Sequence, residues 1–85
     1  MRIALEFFGP IQDRLGSAVD NVELGGEPAT AAALIEHLAE TLDGGEALRQ
    51  DHLRVALNDQ LIGRHEPLQL TEGDRIAFLS PFSGG

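Results

Sequence analysis

Cysteine, lysine, tryptophan and tyrosine are all absent from the 85 residues. Without cysteine the chain can form no disulfide, no cysteine-ligated zinc site and no thiol nucleophile. All six basic residues are arginine, and 14 acidic residues bring the formal net charge to -8 at pH 7. Because phosphate binding requires a basic face, this charge argues against nucleic acid as a partner. It favours a partner with a basic rim, attracted by long-range electrostatics.

Long apolar runs are also missing. No run approaches the roughly 20 residues needed to span a bilayer, and the first residues lack a signal-peptide pattern. We therefore expect a cytoplasmic protein that has no membrane partner. A chain of this length buries only about 60–65% of its unfolded surface, so we expect one domain with a modest core and no deep catalytic cleft.

The chain carries no catalytic or metal-binding motif. Its three histidines, His37, His52 and His65, stand apart from one another without ligand spacing and are expected at the surface. There is no serine–histidine–acid arrangement and no glycine-rich phosphate loop. We expect neither a bound cofactor nor a metal, and no catalytic activity in the chain alone.

Two segments near the beginning predict a β-hairpin. Apolar and polar residues alternate over Arg2 to Phe8 and again over Ser17 to Leu24, as in half-buried strands. Between them, Pro10 suits the first position of a short helical turn. The short separation of the two strands favours antiparallel pairing with a longer-than-minimal loop.

One segment predicts an amphipathic helix. Thr30 is a suitable N-cap, and after it apolar residues recur at helical spacing while charged residues take the opposite face. Gly44 and Gly45 are expected to form the left-handed C-cap. Because there is a single apolar stripe, the helix should pack on one side of a sheet. The residues of that stripe are Ala31, Leu34, Ile35, Leu38 and Leu42.

Three more strands are predicted in the second half of the chain. They cover Leu53 to Asn58, the short Gln60 to Ile62, and Arg75 to Ser80. Turns are expected at Asn58-Asp59 and at Glu72-Gly73-Asp74. The resulting order of two strands, a helix and further strands predicts an α+β fold, the ubiquitin-like β-grasp. It has a mixed sheet of four to five strands, with one main helix on one face and an extended C-terminal tail.

In that fold the first and last strands lie side by side and parallel at the centre of the sheet. These two strands are the most apolar in this chain, as a central position requires. We expect the β-grasp domain to cover residues 1–80 and the flexible tail to cover 81–85.

A few apolar side chains are predicted on the sheet face away from the helix. If the alternate residues of the central strands pack beneath the helix, Phe8 and Leu79 point away from it and can meet, and Leu61 extends the patch. An adjacent apolar cluster beside charged residues is typical of a docking face. The alternative is that loops cover these side chains.

The C-terminal residues offer a different kind of site. Pro81 has no N–H to donate and is expected to end the strand pairing. Because glycine has no Cβ, Gly84-Gly85 can enter a channel too narrow for other residues. The terminal carboxylate is ionised and a poor electrophile, so it needs activation, most simply as an acyl-adenylate made by another enzyme. It can then accept sulfur as a thiocarboxylate or an amine as an amide. The alternative is an inert, frayed terminus.

Over almost its full length the chain resembles the MoaD-type sulfur carriers, the small subunits of molybdopterin synthase. The residues that carry the resemblance are "FFGPIQDRLG", "VALNDQLI" and "EPLQLTEGDRIAFLSPFSGG", which ends in Gly84-Gly85. Two positions depart from the family pattern. Ser80-Pro81 stands where the family usually has two prolines, and Phe82 stands where a smaller aliphatic residue is common.

The resemblance implies a role in molybdenum cofactor biosynthesis. A ubiquitin-activating-like adenylase would consume ATP to activate Gly85, and a sulfurtransferase system would convert it to a thiocarboxylate. The tail would then insert into the large catalytic subunit, with Pro81, Phe82 and Ser83 in contact with that partner, and donate sulfur to cyclic pyranopterin monophosphate. Such pairs typically form a heterotetramer. A carrier for thiamine or another pathway, a ubiquitin-like protein modifier and a β-grasp binding module with an inert tail remain alternatives.

Overall fold

The alternating segments form one five-stranded mixed sheet. A computed structural model describes residues 1–16 and 21–81 of the chain. The strands are β1 (Arg2–Phe8), β2 (Asn21–Glu23), β3 (Arg54–Leu57), β4 (Gln60–Ile62) and β5 (Arg75–Leu79). Two α-helices, α1 (Gln12–Leu15) and α2 (Ala31–Thr41), and one 3-10 helix (Gly45–Leu48) lie between them.

The strand order in the sheet is β2-β1-β5-β3-β4. The pair β1 and β5 is parallel, with partners running from Ala4 and Arg75 to Phe8 and Leu79. The other neighbours are antiparallel, including the predicted hairpin of β1 with β2. The ubiquitin-like β-grasp arrangement, with its first and last strands adjacent and parallel, is therefore confirmed.

Helix α2 covers one face of this sheet. It begins where predicted, because the Thr30 hydroxyl oxygen accepts a hydrogen bond from the Ala33 N–H at 3.1 Å, which satisfies an amide that has no partner within the helix. Its buried stripe packs on the inward side chains of the central strands, among which the Phe7 and Phe78 rings stack with centroids 5.7 Å apart. The fully or nearly fully buried residues of β1 and β5 are Ile3, Leu5, Phe7, Ile76 and Phe78.

The end of α2 differs from the prediction. The helix ends at Thr41 and Leu42 is extended, so Gly44 and Gly45 are not its C-cap. Gly44 instead adopts a left-handed φ of 77° at the start of the 3-10 helix. A Cβ on Gly44 would lie 2.5 Å from the Arg14 carbonyl oxygen, so this glycine permits a close backbone approach to the end of α1.

The predicted turns are present. Asn58 and Asp59 both have positive φ, 49° and 73°, and form the two-residue turn between β3 and β4, a conformation that asparagine and aspartate tolerate better than most residues. Gly73 has a φ of 89° before β5. The second strand is described only from Asn21, because Ser17–Asp20 lie outside the described residues.

Candidate docking face and chain end

The sheet face opposite α2 carries a row of side chains from three adjacent strands. Phe8 of β1 is paired with Leu79 of β5, and Leu79 is paired in turn with Arg54 of β3. Phe8 is 44% exposed, and Leu79 is half-buried. The structure thus places these two predicted residues together, on the side of the sheet that the helix leaves uncovered.

A second row lies beside the first. Register links Ala77 of β5 to Ala56 of β3, and Ala56 to Leu61 of β4. Leu61 is 58% exposed, and with Phe8 it is one of the two exposed large hydrophobic residues in the described part of the chain. The apolar residues of the two rows define what we call the docking face. They are the exposed Phe8 and Leu61, the half-buried Ala77 and Leu79, and the buried Ala56.

A fixed group of charges borders the docking face. The Arg75 guanidinium lies 2.7 Å from a Glu6 carboxylate oxygen and 2.5 Å from an Asp59 carboxylate oxygen. The hydrogen bond and charge of Asp59, and then the charge of Glu6, raise the pKa of Arg75 above its ordinary value. Because these side chains are exposed, the pairs contribute little to folding stability. They place two carboxylates beside the apolar surface.

The start of β5 is anchored by Asp74 and Asn58. The Thr71 N–H donates to Asp74 at 2.8 Å, and the Asn58 side-chain amide donates to the same carboxylate at 3.1 Å. These hydrogen bonds favour the ionised form and lower the pKa of Asp74. The Asn58 side-chain oxygen also accepts from the Arg75 N–H at 3.0 Å. The anchor therefore holds the backbone of Arg75 in place at the start of β5.

The described chain ends beside a wide depression. The depression has a volume of about 590 Å³. The exposed Pro81 lines it, together with Asp51, His52, Leu53 and Arg54. Just before it, the Ser80 N–H donates to the Phe8 carbonyl at 2.9 Å, which is the last hydrogen bond between these strands in the described residues.

The rest of the predicted tail is not described. Phe82, Ser83, Gly84 and Gly85 lie outside the described residues. The functional roles assigned to them, to Pro81 and to the exposed face stay predictions.

A separate cleft of about 260 Å³ lies between the loop Leu24–Pro28 and α2, with His37 on its wall. None of the predicted site residues lines it. Within residues 1–16 and 21–81, no three histidine, aspartate or glutamate side chains gather as metal ligands. In the same ranges, no helix combines the length and the apolar content needed to cross a bilayer.

The fold defines a small ubiquitin-like β-grasp protein, with exposed apolar residues on the sheet face that α2 leaves uncovered. The chain belongs to the ThiS family, which it matches over residues 5–85. The resemblance to the MoaD-type carriers is confirmed by two relatives, both molybdopterin synthase sulfur carrier subunits. The one from Escherichia coli K12 is 33% identical, covering 98% of this chain and 99% of the relative. The one from Haemophilus influenzae is 39% identical, covering 93% and 94%.

Two solved structures are similar to this chain. A chain in the complex of subunits 1 and 2 of molybdopterin-converting factor from Helicobacter pylori is 30% identical, with a TM-score of 0.57 and full coverage of both chains. Small archaeal modifier protein 1 from Haloferax volcanii has a TM-score of 0.68 at 19% identity, covering 94% of this chain and 97% of that one. At that identity the second likeness shows the fold alone.

Sequence reasoning missed several residues of the site. The small Ala56 and Ala77 join Leu61 to the other apolar residues, and alternation along each strand could have placed them on the outer face. The ion pairs of Arg75 depend on strand register, which no local pattern specifies. Ser80 was predicted only as the end of the last strand and as a departure from a family pattern, and its burial was not anticipated.

Proposed function

We propose that this chain is the sulfur-carrying small subunit of a molybdopterin synthase and has no catalytic activity on its own. The observation that carries the proposal is its likeness, at 33% and 39% identity over nearly the whole chain, to two subunits of that name. A carrier contributes a reactive group, and the partner enzymes contribute catalysis.

The reactive group of the proposal is the carboxylate of Gly85. An adenylase would join a carboxylate oxygen to the α-phosphate of ATP with loss of pyrophosphate, and a sulfur donor would then replace AMP. This activation is needed because an ionised carboxylate resists nucleophilic attack. The family match, which runs through residue 85, supports a role for these last residues. The absence of lysine and cysteine also supports it, because no side-chain amine or thiol of the chain can intercept the activated carbonyl.

The docking face is proposed as the surface that binds the large subunit. It joins exposed apolar side chains to a charged border, and interfaces commonly combine an apolar centre with a polar rim. The Glu6 and Asp59 carboxylates would face cations of the partner. A similar chain forms a two-subunit complex in the Helicobacter pylori structure, which supports a partner of this kind.

The tail would reach the active site of that partner. Pro81, Phe82 and Ser83 would contact the walls of a channel, while Gly84, which has no Cβ, would pass through its narrowest part. Sulfur would be transferred there from Gly85 to cyclic pyranopterin monophosphate. The adenylase partner, the consumption of ATP and the cytoplasmic location stay predictions.

Intact-mass measurement tests the proposal. The chain is incubated with adenylase, ATP and a sulfur source, and then with the large subunit and cyclic pyranopterin monophosphate. The expected result is replacement of one oxygen by sulfur at Gly85, followed by loss of that sulfur and formation of molybdopterin. Conjugates on other proteins would instead identify a modifier, and sulfur transfer only to a thiamine precursor would identify a carrier for that pathway. An unchanged mass would overturn the proposal and favour a β-grasp binding module with an inert tail.

A further inference from the structure

Ser80 is the buried polar residue at the end of β5. It is 6% exposed, and within the described part of the chain it is the only buried residue that is polar or charged. Its hydroxyl oxygen accepts a hydrogen bond from the Ile11 N–H at 3.1 Å, and its own N–H donates to the Phe8 carbonyl at 2.9 Å. Two hydrogen bonds therefore tie this residue to the last residue of β1 and to the segment that follows β1.

Gly9 brings the two segments into backbone contact. It has a φ of 88°, and a Cβ at this position would overlap the Ser80 carbonyl oxygen and lie 2.8 Å from its hydroxyl oxygen. Only glycine combines this backbone conformation with so close an approach. The loop is also held from its other side, because the Gln12 side-chain amide donates to the Phe7 carbonyl at 2.7 Å.

Immediately after this contact the chain leaves the sheet. Pro81 is exposed, cannot donate a hydrogen bond, and has its φ fixed by its ring. Ser80 is thus the last residue that hydrogen bonds anchor to the domain in the described part of the chain. We propose that Ser80 and Gly9 form an exit clamp, which fixes the point and direction from which residues 81–85 leave the domain.

The clamp would make Ser80 a positioning residue for the reaction at Gly85, an inference that rests on the proposed function. Five residues reach at most about 17 Å when fully extended, so a displaced starting point moves the reactive end relative to the docked domain. Misplacement of a reacting group by about 1 Å can lower a rate by about 100-fold. The docking face would position the domain on the large subunit. The exit clamp would set where the tail starts relative to the docking face.

The test compares Ser80→Ala with Ser80→Thr, which keeps a hydroxyl, and with Ile3→Val. Ile3 is fully buried in β1 and its substitution also destabilises the core, but it leaves the Ser80 contacts intact. Melting temperatures confirm that each variant folds. Thiocarboxylated carrier is then mixed with excess large subunit and cyclic pyranopterin monophosphate, and sulfur transfer is followed in a single turnover.

Ser80→Ala is expected to slow transfer by about 10-fold to 100-fold, while Ser80→Thr restores most of the rate and Ile3→Val leaves it unchanged. Amide hydrogen exchange of the free carrier should show faster exchange at Ile11 in Ser80→Ala alone. Transfer by Ser80→Ala at the wild-type rate would overturn the clamp and leave the proposed function standing. Absence of transfer by the wild-type protein would overturn the proposed function, and the role of the clamp with it.

Discussion

Phe8 and Leu79 are paired neighbours on the parallel strands β1 and β5, and both side chains lie on the face of the sheet that α2 does not cover. Their strands are adjacent at the middle of the domain, although the two residues lie near opposite ends of the sequence. The pair joins the docking face to the point where the chain leaves the sheet, because Ser80 follows Leu79 and bonds to the Phe8 carbonyl. The outer apolar residues of β1 and β5 and the end of the last strand therefore lie together in one small region.

Changing Phe8 or Leu79 to Asp should weaken binding to the large subunit of molybdopterin synthase. An aspartate places an ion in a desolvated apolar contact, and loss of a central contact costs on the order of 2 kcal/mol, or about 30-fold in Kd. Calorimetric titration measures the affinity. His37→Asp is the matched control, because it adds the same charge on an exposed position of α2, on the other side of the sheet. Equal affinity of all these variants would show that the face is ordinary surface.

Extending the chain by one residue after Gly85 should abolish thiocarboxylation. The added residue moves the carboxylate away from the glycine end, while the folded domain is expected to keep its melting temperature. Intact mass after treatment with adenylase, ATP and a sulfur source gives the result. As a control, proteolytic removal of the added residue should restore the modification. Full thiocarboxylation of the extended chain would contradict the proposal that a free Gly-Gly end is required.

Introducing an amine near the exit of the tail should create self-acylated product. Arg54 is exposed and paired with Leu79, one residue before Ser80. In Arg54→Lys, the amine can attack the Gly85 adenylate, forming an amide bond with release of AMP and a proton. Mass spectrometry should detect this product as the loss of one water relative to the free chain. Arg54→Gln, which removes the guanidinium without adding an amine, should form none. Equal amounts of self-acylated product from both variants would contradict the proposal that the absence of lysine protects the activated Gly85 from attack by the chain's own amines.

The stability of the domain should fall at acidic pH partly through Asp74. Its pKa is lowered in the folded chain by hydrogen bonds from Thr71 and Asn58, so between the folded and unfolded pKa values the unfolded state binds more protons. The contribution is therefore complete above the ordinary aspartate pKa of about 3.9 and is lost as the pH falls through the lower folded value.

Asp74→Asn tests this assignment by urea unfolding at several pH values. The variant should be less stable than the wild type at neutral pH, and the difference should shrink as the pH falls below the ordinary aspartate value. A difference that stays constant over this range would show that the carboxylate charge does not contribute. Thr30→Ala serves as a control, because loss of this helix cap costs about 1 kcal/mol without involving an ionisable group.

Much of the fold could be predicted because local sequence patterns specify its strands, its main helix and its turns. Period-two alternation marked β1 and β5, and Thr30 marked the start of α2. The turn at Asn58-Asp59 followed from residues that tolerate positive φ. The prediction was wrong at Gly44, which was expected to cap α2. Glycine is favoured both at a helix cap and where two backbone segments approach closely. The structure contains the close approach to Arg14, a contact between distant segments that local patterns do not predict.

The sequence by itself determined the chemical groups available to this protein: no thiol, no lysine amine, a net negative charge, and a Gly84-Gly85 pair without side chains. It also determined the local elements, because side-chain periodicity and turn residues act over a few positions. Tertiary structure decided where these features meet. The hydrogen bond between Ile11 and Ser80 spans 69 positions, and the register of β1 with β5 is specified by packing of the shared core. That non-local packing, which local patterns do not encode, places the docking face and the exit of the tail side by side.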